Sequence, residues 1–110
     1  MTELAQQTCK PCELGATPLK GEALTEYWDQ LSGEWQVLEE HHLIRSYSFG
    51  NFKEALDFTN KVGELAEAEG HHPDIFLAWG KVDLTLFTHK IDGLSEADFV
   101  FAAKVDKLNG

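Results

Sequence analysis

The sequence predicts an α+β domain: three helices packed on one face of a four-stranded antiparallel sheet, in the order α-β-β-α-β-β-α. Three observations carry this. Apolar residues recur at helical spacing in three separated stretches. Short aromatic and β-branched segments lie between them, and these segments come in adjacent pairs. Paired neighbours favour a hairpin-built antiparallel sheet over the crossovers of a parallel one. The 110 residues leave room for one such domain, with roughly two-thirds of the unfolded surface buried.

Residues 1–20 carry little periodicity and contain Cys9-Lys-Pro-Cys12 and Ala16-Thr-Pro-Leu19, so they are expected to form a flexible arm ahead of a domain at 21–110. A single C-x-x-C supplies half of a four-ligand zinc site and lacks a strand-to-helix setting, so Cys9 and Cys12 are read as an ordinary reduced pair. From Glu22, the positions Ala23, Leu24, Tyr27, Trp28 and Leu31 fall on one helical face, and Ser32-Gly33 stops the pattern. Trp35 to Leu38 and Leu43 to Phe49 read as a hairpin around Glu39-Glu40-His41-His42, without the Asn-Gly signature of a tight turn.

Asn51 and Glu54 form a capping pair for a helix over Phe52 to Glu69, with Phe52, Ala55, Leu56, Thr59, Val62, Gly63 and Ala66 on its apolar face. Gly70 stops that helix, and Pro73 prevents it from resuming, which leaves His71 and His72 on a bend. Ile75 to Trp79 and Val82 to His89 read as strands. The second alternates Val82, Leu84 and Leu86 against Asp83, Thr85, Phe87 and His89. Ser95 and Asp98 open a last helix that carries Phe99, Ala102, Ala103 and Leu108.

Nineteen acidic against nine basic side chains give a formal charge of -10. Phosphate backbones and anionic membranes are therefore repelled, and neither nucleic acid nor membrane is expected as a partner. No apolar run reaches membrane-span length, and the N-terminus lacks the regions of a signal peptide, which predicts a cytoplasmic protein.

Chemistry concentrates in the histidines. Of five, His71 and His72 occupy the bend and His89 ends a strand, places that a buried core does not explain. Imidazole exchanges protons in both directions near neutral pH, so the three suggest acid-base work. His41 and His42, in the hairpin turn, are read as solvated and idle. Asp98 is accounted for as a capping residue, whereas Glu67 sits near a helix C-terminus, where an acid opposes the dipole. No Gly-rich nucleotide loop, P-loop, H-E-x-x-H or G-x-S-x-G occurs, and adjacent histidines poorly direct both rings at one ion, so no metal is expected.

The run Glu67-Ala-Glu-Gly-His71-His72-Pro73, followed by Trp79, His89 and Asp98, resembles the signature of the pterin-4a-carbinolamine dehydratases. The flanks Tyr47-Ser-Phe49-Gly-Asn-Phe52, Thr88-His89 and Gly93-Leu-Ser-Glu-Ala-Asp98 agree, and the resemblance spans roughly residues 22–108. It implies dehydration of 4a-hydroxytetrahydrobiopterin, or a related pterin, to the quinonoid dihydropterin, which recycles the cofactor of aromatic amino acid hydroxylases. No cofactor is implied. His71, His72 and His89 become the catalytic imidazoles, and Asp98 a group that orients or charges His89. Glu67, Pro73, Trp79 and Thr88 become substrate-binding positions, with Trp79 a wall or core residue. Some members carry an acid immediately before His-His, where this chain has Gly70. The resemblance also implies homodimers or tetramers, and a hydroxylase is a candidate partner. Two alternatives stand beside it: an accessory protein for another pterin, such as molybdopterin, and a non-catalytic dimerisation or interaction protein.

Overall fold

A computed structural model describes residues 18–31 and 34–109. The predicted C-x-x-C arm up to residue 17 and the Ser32-Gly33 stop lie outside the described residues. The elements are α1 (Gly21–Trp28), β1 (Gln36–Leu38), β2 (His42–Ser48), α2 (Phe52–Glu69), β3 (Asp74–Ala78), β4 (Lys81–Leu86) and α3 (Glu96–Asn109), with a 3-10 turn at His89–Ile91. All strand pairs are antiparallel, in the order β1-β2-β4-β3. This is the predicted α+β order.

Alternation along β4 buries Val82, Leu84 and Leu86 completely. Register sets Leu43 opposite Leu86 and Tyr47 opposite Val82 on the same covered face, and α2 adds Ala55, Phe58, Val62 and Ala66 to that core. The inward stripe of α2 is therefore rotated from the expected one. Phe58 replaces Phe52 and Leu56, which are 44% and 37% exposed on the outer side. Six consecutive residues of α3, Ala97 to Ala102, are buried. A helical stretch covered all round lies inside its domain rather than on it, so the first half of α3 is interior, and α1 covers part of it by stacking Tyr27 on Phe99 at 5.6 Å between ring centroids.

The hairpin differs from expectation. Glu39 and Glu40 both take positive φ, 55° and 52°, and His41 N–H bonds to the Leu38 carbonyl at 2.9 Å. The turn is thus tight, of the kind usually given to Asn-Gly, and each left-handed residue with a side chain costs roughly 1–2 kcal/mol. Part of the compensation is a bond from Gly21 N–H to the Glu40 carboxylate at 2.8 Å.

Residues 18–20 pack on the domain. Leu19 N–H donates to the Leu94 carbonyl at 2.8 Å, and a side chain at Gly93 would meet Pro18 at 2.6 Å.

Candidate active site

Helix α2 ends as its sequence dictates. Gly70 adopts the left-handed conformation, φ 66°, and both its N–H and that of His71 return to the Ala66 carbonyl. A residue with a side chain would be strained in this conformation, which accounts for the glycine at position 70. The chain then turns through His71, His72 and Pro73 into β3.

Asp98 is the centre of the arrangement. It lies in the first turn of α3 and is fully buried. One carboxylate oxygen bonds His71 Nε2 at 2.6 Å, and the other accepts from Thr88 Oγ1 at 2.8 Å and from Ser95 N–H at 2.9 Å. The Ser95 bond is the predicted cap. A carboxylate has no proton to give, so the His71 proton resides on Nε2, and Nδ1 of the neutral ring keeps a lone pair. The ring packs 5.8 Å from Phe101 and is largely buried. His72 pairs through Nε2 with Glu67, five residues back, and both side chains are solvent-exposed.

Several expectations are corrected here. His89 does not end a strand, because β4 stops at Leu86. Thr88 forms an isolated bridge with Gly93, and His89 opens the 3-10 turn, which leaves it exposed. Asp98 accordingly does not reach His89, and His71 holds that place instead. Thr88 is buried with its hydroxyl spent on Asp98 and Ser95, so it supports the carboxylate rather than presenting a face to substrate. Glu67 is committed to His72. Trp79 is neither core nor wall of this cluster: it is 67% exposed in the β3–β4 turn. The five residues of β3, about 16 Å of strand, separate it from the His71-His72 bend. Pro73 is half-buried at that bend.

His71, Asp98, Thr88 and Ser95 are thus brought together; His72 directly follows His71 and His89 directly follows Thr88 in the chain. His41, expected to be solvated, is 32% exposed in its side chain: Nε2 bonds the Asp92 carboxylate at 2.8 Å and its ring packs 4.9 Å from Phe87. The contacts that the sequence reading did not anticipate are those of His41 with Asp92 and Phe87. These partners lie up to 51 positions away, beyond any local spacing signal. Among the described residues no group of three or more His, Cys, Asp or Glu could hold a metal ion, and no helix is long and apolar enough to cross a membrane.

Residues 17–108 match the family model described as Pterin 4 alpha carbinolamine dehydratase. A relative from Alkaliphilus metalliredigens, provisionally named a pterin-4-alpha-carbinolamine dehydratase, is 62% identical over 97% of this chain and 96% of its own length. Another with the same provisional name, from Rubrobacter xylanophilus, is also 62% identical, over 98% of this chain and its full length. Among solved structures, a transcriptional coactivator/pterin dehydratase from Brucella melitensis superposes with a TM-score of 0.77 at 32% identity, over 86% of this chain and all of that one. A pterin dehydratase-like RuBisCO assembly factor of the alpha-carboxysome superposes with a TM-score of 0.57 at 30% identity, over 69% of this chain and 87% of that one.

Proposed function

The chain belongs to the pterin 4 alpha carbinolamine dehydratase family, and from that premise we propose that it dehydrates 4a-hydroxytetrahydrobiopterin, or a close relative, to the quinonoid dihydropterin. The reaction removes a proton from ring N5 and protonates the departing 4a-hydroxyl, so an acid and a base must act in one site. The Asp98–His71 pair is the observation that carries the reading. Asp98 holds the His71 proton on Nε2, which leaves Nδ1 to accept the N5 proton, and the carboxylate stabilises the imidazolium that forms. On this reading His72, paired with Glu67, and the exposed His89 supply the proton that the hydroxyl takes up as it leaves as water. Proton balance closes without another reactant.

By this reading the product feeds a reductive step that regenerates the cofactor of an aromatic amino acid hydroxylase. The chain works in the cytoplasm and associates with itself. Two edge strands, β1 and β3, and the exposed Phe52, Leu56 and Phe76 support self-association. The RuBisCO assembly factor keeps an interaction-protein reading in view, but a solvent-shielded Asp–His pair serves proton transfer and has no evident use in a docking surface.

The test is the rate of quinonoid dihydropterin formation from chemically generated 4a-hydroxytetrahydropterin, measured with EDTA present. Wild type should accelerate it, and His71→Ala and His89→Ala should lose on the order of 10²- to 10⁴-fold. A wild type no faster than buffer would end the dehydratase reading.

A further inference from the structure

The geometry points to His41 as a positioning residue for the reaction: through Phe87 it holds the exposed His89 ring in its working orientation. The inference rests on the dehydratase reading for its kinetic consequence, but the contact network stands on its own. Among the described residues no hydrogen bond reaches the His89 ring, which packs against Phe87 at 4.2 Å between centroids. An exposed imidazole without a bond would sample several staggered rotamers. Phe87 restricts it, and Phe87 packs in turn against His41 at 4.9 Å between centroids.

His41 itself has a partner at each ring nitrogen. Nε2 bonds Asp92 at 2.8 Å, and Nδ1 lies 3.1 Å from His42 Nδ1. One tautomer set satisfies both contacts: His41 Nε2–H donates to the carboxylate, and His42 Nδ1–H donates to His41 Nδ1. Asp92 returns to the start, because its N–H caps the 3-10 turn by bonding the His89 carbonyl at 3.2 Å. His89, Phe87, His41 and Asp92 therefore form a closed circuit between the β1–β2 hairpin and the turn that carries His89.

The backbone supports the same conclusion. Among the described residues, the non-glycine positions with positive φ are Glu39, Glu40 and Asp92. Two of them aim His41 from the hairpin, and the third closes the His89 turn. Unfavourable backbone persists where surrounding contacts over-determine it, and it clusters around functional groups. Neither the cap at Asn51 nor the glycine stop at residue 70 needs such a conformation from a residue with a side chain.

The consequence is preorganisation. An imidazole already confined near its productive rotamer spends no part of each turnover searching for it. Loss of the backing ring should lower kcat by about 5- to 10-fold with little change in KM, a smaller effect than removal of His89 itself. His41→Phe, which keeps a ring against Phe87 but loses the Asp92 bond, should recover most of the loss. Phe87→Leu should reproduce it, and the Phe87→Leu/His41→Ala double variant should be no slower than either single one, because both act through one contact chain.

The decisive pair of measurements is steady-state kinetics and the side-chain NMR signals of His89 in wild type and His41→Ala. The Phe87 ring current should displace the His89 ring protons in wild type, and that displacement should shrink in His41→Ala. Unchanged His89 signals would overturn the proposal, and so would an unchanged kcat in an active, folded His41→Ala. If wild type shows no dehydration, the reading of the function fails separately, and the NMR comparison alone decides whether His41 positions His89.

Discussion

Helix α3 carries two shielded aspartates, Asp98 and Asp106, about 12 Å apart along its axis, and the chain uses them differently. Asp106 receives Trp35 Nε1 at 2.9 Å and the guanidinium of Arg45. Arg45 in turn lies over the Tyr47 ring, 4.5 Å from its centroid. Asp98 receives His71, Thr88 and the Ser95 N–H. The anchoring device is similar, a carboxylate that receives side-chain donors from outside its own helix. The cation decides the outcome. Arginine keeps its proton and can only brace the sheet against the helix, whereas a histidine bonded at Nε2 retains a second nitrogen that can exchange one.

The sharpest way to break this comparison is to neutralise each carboxylate. Asp98→Asn presents an amide N–H to His71, which favours the proton on Nδ1 and removes the base; the dehydration rate should fall by roughly 10²- to 10⁴-fold. Asp106→Asn should leave the rate per folded molecule within about threefold, since neither Trp35 nor Arg45, which bond to it, exchanges a proton near neutral pH. Equal losses in the two variants, measured side by side, would erase the distinction.

Arg45→Met tests the bracing role. Removing the cation leaves Asp106 with one fewer donor in a half-dry site, and unfolding free energy should drop by about 1–3 kcal/mol in urea titration with kcat unaffected. A variant as stable as wild type would mean that the pair contributes geometry and little energy.

Tyr47 gives the smallest effect and a pH signature. Its hydroxyl is buried without a hydrogen-bond partner among the described residues, and burial pushes its pKa well above the usual phenol range, although Arg45 opposes the shift. The neutral phenol is thus favoured in the folded state. That contribution is complete below about pH 10, the unfolded value, and is lost as pH rises through the folded one. Thermal melts of Tyr47→Phe should show a flatter alkaline limb and, at neutral pH, stability equal to wild type or about 1 kcal/mol higher, because an unpaired hydroxyl is removed.

What the sequence by itself determined is local. The Asn51 cap, with Glu54 N–H bonded to Asn51 Oδ1 at 2.8 Å, the glycine stop at residue 70, the His71-His72-Pro73 bend and the Ser95–Asp98 cap all form within a few residues, where spacing alone dictates the contacts. The alternation of β4 was equally legible, because side chains of period two must separate onto two faces. Tertiary structure decided which distant group each of these features would meet. Asp98 was expected at His89, nine positions away, yet it meets His71 across 27 positions, because the short 3-10 turn swings His89 outward while the end of α2 delivers His71 inward. The circuit through His41 and Asp92 spans 51 positions and depends on two left-handed backbone segments that carry no glycine. Such pairings follow from sheet register and helix placement, which bring remote segments together only after the chain has folded.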